Sequence, residues 1–114
     1  MFLGRVIGSV WATRKEERLD GLKLLVVREL DVDLKPQPRF VIAADVVQAG
    51  VGEVVLVSTG SAARQSPQVE KRPVDALVCA VIDNLEVQDW ASLEAAYSSR
   101  RDALAADLER QPEH

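Results

Sequence analysis

Polar and apolar side chains alternate along the first thirteen residues of the chain. A period of two residues predicts a β-strand over residues 2–13, with its apolar side chains on one face. The residues expected on that face are Phe2, Gly4, Val6, Gly8, Val10 and Ala12. Two glycines on an apolar face leave room for sharp curvature or for the close approach of another backbone, as in a small closed barrel.

Four more segments have the β-branched and apolar character of strands. They cover residues 22–31, 40–45, 53–59 and 74–87. We therefore expect a mainly β protein, a five-stranded OB-like β-barrel with a short helical turn and a C-terminal amphipathic helix.

The connections between these strands are predicted from their polar residues, glycines and prolines. Charged residues 14–20 form a loop that ends at Gly21, and residues 35–39 form a turn because two prolines remove backbone donors and fix φ. Residues 61–65 have the length of one helical turn. Polar residues 66–72 have the composition of a mobile loop.

The fifth strand is unusual because residues 76–82 carry no polar side chain on either face. The strands of a small antiparallel barrel normally have one solvent-exposed face. Leaving apolar area exposed there costs a free energy of about 25 cal/mol per Å². This pattern favours a subunit interface on the second face. The alternative is that the C-terminal segment of the same chain covers it.

A change of pattern at residue 89 divides the chain into a barrel domain, 1–88, and a C-terminal helical extension, 89–114. Asp89 is a candidate N-cap for a helix over residues 89–110, and Pro112 follows its end. The candidate packing residues recur near helical spacing: Trp90, Leu93, Tyr97, Leu104 and Leu108. We expect this stripe to pack on the barrel or on a neighbouring subunit, with docking of a cargo protein as the alternative.

The glycines at positions 50 and 52 raise the possibility of a phosphate-binding loop, which the residues after them oppose. A phosphate loop needs a helix N-terminus directly after the glycines, whereas a β-rich segment begins here at Glu53. We therefore predict a tight turn in which both glycines have positive φ.

The charge distribution disfavours sequence-independent binding to nucleic acid. The formal net charge is −4, with 11 basic and 12 acidic residues in positions 1–88 and 3 and 6 in positions 89–114. Electrostatic binding to nucleic acid needs a net positive face, so we expect no nucleic-acid partner. The alternative function is a small OB-like barrel that binds single-stranded nucleic acid or another protein, with Phe2, Trp11 and Phe40 as the barrel's candidate stacking aromatics.

Candidate catalytic chemistry is sparse. Cys79, the only cysteine, lies in an apolar run, and the only histidine is the last residue, His114. We predict no catalytic, cofactor-binding or metal site and no cofactor, and an enzyme with an exposed carboxylate site remains a weaker alternative. The sequence has no signal peptide and no 18-residue apolar run, so we expect a soluble cytosolic protein with no membrane partner.

An ordered set of short motifs points to a family. They are residues 4–10 with Ala12-Thr13, then 21–27, 44–47, 49–57, 60–64, 73–76 and 81–83. Over residues 1 to about 88 the chain resembles the pentameric vertex proteins of bacterial microcompartment shells, the EutN/CcmL family. The resemblance implies a structural protein, not an enzyme, that assembles as a homopentamer in the shell of a cytoplasmic microcompartment. It also implies hexameric and trimeric shell proteins as partners. The resemblance does not extend to the C-terminal helix, for which contact with encapsulated cargo enzymes is the alternative given above.

The resemblance also indicates a candidate site. The loop Gly60, Ser61, Ala62, Ala63 and Arg64 is expected near the fivefold axis or at a contact between subunits, where Arg64 would pair with Asp83 or Asp45. An ordinary surface turn is the alternative. The chain departs from the family at three places: Gln48 stands where glycine is usual, Cys79-Ala80 replaces a pair that usually ends in glycine, and the tail is longer than usual.

Overall fold

A computed structural model of the chain describes residues 1–68 and 74–109. The elements are β1 (Phe2–Ser9), a 3₁₀ helix (Glu17–Leu19), β2 (Lys23–Leu30), β3 (Pro36–Asp45), β4 (Val54–Thr59), α1 (Gly60–Arg64), β5 (Ala76–Val81) and α2 (Trp90–Glu109). The mainly β fold with one short helical turn and a C-terminal helix is confirmed.

The five strands form a closed barrel in the order β1-β2-β3-β5-β4. All pairs are antiparallel except β3 and β5, which pair in parallel at Ala44 and Asp45. Inward-facing side chains alternate along each strand and fill the barrel. The buried members of this core are Val6, Leu25, Val27, Ala43, Ala49, Val55, Val57, Ala76 and Val78.

The close backbone approach predicted for the β1 glycines occurs at Gly4. A Cβ on Gly4 would overlap Cγ1 of Val27 and lie 3.0 Å from the carbonyl oxygen of Arg28, both on the neighbouring strand β2. A Cβ on Gly8 would meet nothing within 4 Å. Of the two glycines, only Gly4 is therefore a point of close approach, whereas the β1–β2 register shifts between Val6 and Gly8, an irregularity of the kind that local strand curvature requires. The strand β1 ends at Ser9 rather than at residue 13.

The turn predicted at residues 35–39 is wrong, because Pro36 begins β3. The chain reverses earlier, where Oδ1 of Asp31 accepts hydrogen bonds from the backbone N–H groups of Asp33 (2.8 Å) and Lys35 (2.9 Å). In the described residues, β5 pairs with β3 only at its far end. The first part of β3 thus has β2 alone as a neighbour, and prolines are tolerated on such an edge.

Other boundaries differ by smaller amounts. The fifth strand ends at Val81 instead of residue 87, and the charged loop contains the 3₁₀ helix at its end. The short helical turn is confirmed as α1. Residues 69–72 of the predicted mobile loop lie outside the described residues.

The second apolar face of β5 is covered in part by the chain itself. Leu77 is buried against Ala44, Ala63 and Val74, which come from β3, α1 and the segment before β5. The expectation that this face needs a second subunit is therefore wrong at Leu77. The proposed alternative is also wrong, since α1 provides the cover and no residue of α2 is buried.

Helix α2 projects from the barrel. The described chain measures 75 × 32 × 22 Å, and all five predicted packing residues are exposed, from 42% for Leu93 to 73% for Trp90. The N-cap is confirmed, because Oδ2 of Asp89 accepts a hydrogen bond from the backbone N–H of Ser92 at 3.2 Å. Packing of α2 on its own barrel was wrong, and packing on another molecule stays a prediction.

The predicted amphipathic character of the C-terminal helix is wrong, because the residues of α2 are segregated by size but hardly by polarity. The five large apolar side chains fall within a sector of roughly 60° on a helix of 3.6 residues per turn. Alanine and serine occupy most of the opposite side, so the helix lacks a charged face opposite its apolar stripe. None of the helices in residues 1–68 and 74–109 has the length and apolar character needed to cross a membrane.

Candidate assembly surface

Helix α1 holds the loop that the sequence indicated as a site. Gly60 has φ of 63°, a conformation that favours glycine, and its N–H donates to the carbonyl oxygen of Asp75 at 2.8 Å. This glycine turns the chain from β4 directly into α1. Within α1, Ala63 is buried against the barrel, whereas Ser61 and Ala62 face solvent. The side chain of Arg64 lies outside the described residues.

The candidate partners of Arg64 lie in different environments. Thr59, next to α1, pairs with Ala76 at one end of the β4–β5 ladder, and Val55 pairs with Val81 at the other end. Asp83 follows Val81, so about four residues of strand, roughly 13 Å, separate it from α1 within one subunit. A pair between Arg64 and Asp83, within one subunit or between two, stays a prediction.

Asp45 is engaged in a local turn. Its carboxylate accepts hydrogen bonds from the backbone N–H groups of Val47 (3.1 Å) and Ala49 (2.9 Å), and the Nζ of Lys23 lies 3.8 Å away. Only 1% of the Asp45 side chain is exposed. The carboxylate thus holds the turn after β3 and has little surface to offer another subunit.

The turn before β4 is held by Glu53. Its Oε1 accepts a hydrogen bond from the N–H of Gly50 at 2.5 Å, and the N–H of Gly52 donates to the carbonyl oxygen of Val6 at 2.7 Å. Gly52 has φ of 92°, as predicted, but Gly50 does not have a positive φ. The second left-handed residue is Gln48, with φ of 59°.

Replacing Gln48 with glycine is expected to stabilise the barrel by about 0.5 kcal/mol. A left-handed conformation costs an L-residue roughly 1–2 kcal/mol, of which the greater unfolded-state freedom of glycine cancels roughly 0.5–1 kcal/mol. Urea unfolding at fixed protein concentration measures the change. Gln48→Ala is the control and should give no gain; a loss of stability in Gln48→Gly would contradict the argument.

An apolar patch on the outside of β2 and β3 is left uncovered in the described chain. Phe40 and Ile42 of β3 are about half exposed, and they pair across the strands with Arg28 and Val26 of β2. The guanidinium of Arg28 lies 5.1 Å from the centroid of the Phe40 ring. We call these four residues the β2–β3 patch. Contiguous exposed apolar surface of this kind marks interaction sites.

The patch adjoins the predicted loop. A cavity of about 320 Å³ is lined by residues of both, including Ile42, Thr59 and Gly60, together with Arg39 and Asp75. The guanidinium of Arg39 lies 4.7 Å from the centroid of the Phe2 ring, at the end of the barrel core. Residues of the patch were missed by the sequence reasoning, because alternation alone does not show which outer face α1 will cover.

The described residues offer little for catalysis. Within residues 1–68 and 74–109, no three histidine, cysteine, aspartate or glutamate side chains are grouped so that they could hold a metal ion. Cys79 is half-buried, and its thiol lies 3.3 Å from the carbonyl oxygen of Leu56. The arrangement of apolar patch, short helix and projecting tail is suited to assembly rather than to reaction chemistry.

Comparison with known proteins matches the barrel and leaves the tail unmatched. A family model described as "Ethanolamine utilisation protein EutN/carboxysome" matches residues 1–83. The carboxysome shell vertex protein CcmL of Gloeobacter violaceus is 46% identical over 89 residues, which cover 78% of this chain and 89% of the relative. The microcompartment shell vertex protein GrpN of Rhodospirillum rubrum is 46% identical over 86 residues, which cover 75% of this chain and 97% of GrpN.

Solved structures give the same result. The structure of G. violaceus CcmL matches with a TM-score of 0.73 and covers 77% of this chain and 91% of that one. The structure titled "GrpN pentameric microcompartment shell protein from Rhodospirillum rubrum" matches with a TM-score of 0.69 and covers 76% of this chain and all of that one. A protein with the length of the barrel alone therefore has this fold.

Proposed function

The chain belongs to the EutN/CcmL family, and from this premise we propose that it is a structural protein that forms pentameric vertices in the shell of a bacterial microcompartment in the cytoplasm. The observation that carries the proposal is the match of the whole barrel to shell vertex proteins at 46% identity. These relatives are shell components, and the function proposed is structural rather than enzymatic.

The geometry of a closed shell explains the need for such a protein. A flat hexagonal sheet cannot close into a polyhedron without points of fivefold symmetry. Five copies joined head to tail close into a ring when the rotation between neighbours fits. We propose that hexameric and trimeric shell proteins surround this ring and that it occupies the corners of the shell.

The proposed interface between subunits includes the β2–β3 patch and the loop Gly60 to Arg64. A head-to-tail contact joins two different surfaces. Each subunit therefore uses one surface to contact the subunit before it in the ring and a second surface to contact the subunit after it. Asp83 follows the end of the β4–β5 ladder that lies away from α1, a position that favours contact with the loop of the next subunit. Burying Phe40 and Ile42 there would remove their apolar surface from water.

Light scattering on the purified protein tests the proposal. We expect a particle of five times the 12.5 kDa chain mass. Ile42→Glu should shift the population toward smaller species, because an unpaired charge would be buried in the interface. Val51→Glu, a change at a residue that is 67% exposed on the turn before β4, is the matched control and should remain a pentamer. A wild-type monomer at micromolar concentration would overturn the proposed function.

The helical extension is proposed as a second, separate module. The family model ends at residue 83, and the matched regions leave about a quarter of the chain outside the alignment. The vertex function of the relatives therefore does not need a counterpart of α2. We propose that the extension contacts neighbouring subunits, shell proteins or cargo enzymes.

A further inference from the structure

A second uncovered apolar surface lies where the segment after β1 meets the start of β2. Val10 and Trp11 after β1 face Leu22 and Leu24 at the start of β2, across a groove of about 340 Å³. Trp11 is 92% exposed. We call this the Trp11 groove. A fully exposed tryptophan beside an apolar groove leaves a large apolar area in water, which an occupant would cover.

The stripe on α2 has the same need for a partner. Trp90, Leu93 and Tyr97 occupy successive turns of one side of the helix, and each is at least 42% exposed. Beyond them the stripe is interrupted by Arg100 and Arg101. The first half of α2 is thus the continuous apolar part.

Charge favours contact between these two surfaces. The groove is bordered by Lys15 and Lys23, and none of the described residues that line it is acidic. Positions 89–109 carry five acidic and two basic residues, and Glu94 lies beside the stripe between Leu93 and Tyr97. The Nζ of Lys23 already contacts Ala49 and Asp45, so Lys15 is the cation most available to Glu94.

Association of the tails with one another is less favourable. In a fivefold ring the five tails are equivalent, so every copy places Arg100 at the same height along the axis. If the five apolar stripes packed against one another, these five like charges would lie close together and repel one another. Docking in the Trp11 groove avoids this arrangement, because the five Arg100 side chains are then held apart on different barrels.

The linker allows the tail to leave its own barrel. Strand β5 ends at Val81 and α2 begins at Trp90, so eight residues join them. Such a linker spans up to roughly 27 Å. In the structure no residue of α2 is buried, and no described residue of α2 lines the Trp11 groove of the same chain.

We propose that α2 of one subunit docks in the Trp11 groove of a neighbouring copy, with Trp90, Leu93 and Tyr97 against Trp11 and Glu94 near Lys15. This inference rests on the proposed pentamer, in which copies of the chain are adjacent. The tail then ties one barrel to the next across the subunit boundary.

Fluorescence of Trp11 tests the contact. Trp11 and Trp90 are the two tryptophans, so Trp90→Phe leaves Trp11 as the only emitter. We expect this full-length variant to emit at a shorter wavelength, and to be quenched less by acrylamide, than the same variant ending at residue 88. The shorter chain retains the barrel, because GrpN matches it over its whole length. Equal emission and quenching in the two proteins would overturn the proposal.

Point variants of the full chain provide a matched comparison. In the Trp90→Phe background, Tyr97→Glu should expose Trp11 as truncation does, because it places a charge on the docking stripe. Ser99→Glu adds the same charge on the other side of α2 and should leave the Trp11 signal unchanged. If both variants, or neither, change the signal, docking through the stripe is wrong.

Mixed pentamers decide whether the tail docks on a neighbour. Two chains are co-expressed with different tags: a chain ending at residue 88 that retains Trp11, and a full-length chain with Trp11→Phe and Trp90→Phe. Docking on a neighbour shifts the Trp11 emission of the truncated subunits to shorter wavelength. An unchanged emission means that the tail docks on its own barrel or on another protein, and overturns the proposal.

The mass of each sample separates the two proposals. Pentamers of both the full-length and the truncated chain, with no effect of the tail on Trp11, would leave the vertex function standing and remove only this inference. A wild-type protein that does not form pentamers would remove the proposed function first.

Discussion

Replacement of Gly4 by alanine is expected to lower the free energy of unfolding by about 3 kcal/mol. The added methyl group would overlap a side-chain methyl of Val27 and press on the carbonyl oxygen of Arg28, which belongs to the neighbouring strand. Overpacking a tight core costs typically 1–3 kcal/mol, and here a backbone atom would also have to move. The barrel is closed, so β1 has no open edge toward which it could shift.

Gly8→Ala is the matched control for this change. It lies on the same strand, four residues away, and its Cβ would meet nothing within 4 Å. We expect a change near zero or a gain of up to roughly 0.5–1 kcal/mol, because alanine loses less conformational freedom on folding than glycine does. Thermal unfolding of both variants, with mass measured at the same concentration, separates them by roughly 12 °C or more for a domain of this size. Equal melting temperatures would show that β1 and β2 are less tightly packed at Gly4 than the structure indicates.

Replacement of Asp45 by alanine is expected to lower the free energy of unfolding by a similar amount, about 3 kcal/mol. The change leaves the N–H groups of Val47 and Ala49 without their carboxylate acceptor, and it removes the charge beside Lys23. Each unsatisfied buried donor costs roughly 1–3 kcal/mol. The same turn holds Ala49, which is fully buried in the barrel core, so its loss would loosen the core as well.

Two further variants sharpen this prediction. Asp45→Asn retains one acceptor oxygen but turns an amide donor toward the second N–H, so an intermediate loss is expected. Asp33→Ala removes an exposed carboxylate from the turn before β3 and should change the stability by less than roughly 0.5 kcal/mol. Urea unfolding measures all three. A fully stable Asp45→Ala protein would mean that the carboxylate does not hold this turn.

Much of the barrel was predictable because its information is local. Alternation predicted β1 and the inward direction of Val6, and β-branched runs predicted β4 and β5. The departure from glycine at Gln48 was also visible in the sequence. The structure explains why glycine is usual at this position: the residue has φ of 59°, a conformation that favours glycine.

Predictions that depended on neighbours in space were less successful. Two prolines suggested a turn at residues 35–39, but the unpaired edge of β3 accepts them within a strand. The candidate site was likewise predicted only in part. The structure places the loop Gly60 to Arg64 and Asp83 at opposite ends of one strand pair, and it adds the β2–β3 patch, which no motif indicated.

The sequence by itself determined the strands, the helix at residues 90–109, the glycine at the crowded position 4 and the family, because these depend on periodicity, residue size and the order of short motifs. Only the tertiary structure decided which outer faces stay uncovered. That outcome depends on strand order and on where α1 packs: it buries Leu77 and leaves Phe40, Ile42 and Trp11 in solvent. Burial is a property of contacts between segments distant in sequence, and a linear pattern does not contain them.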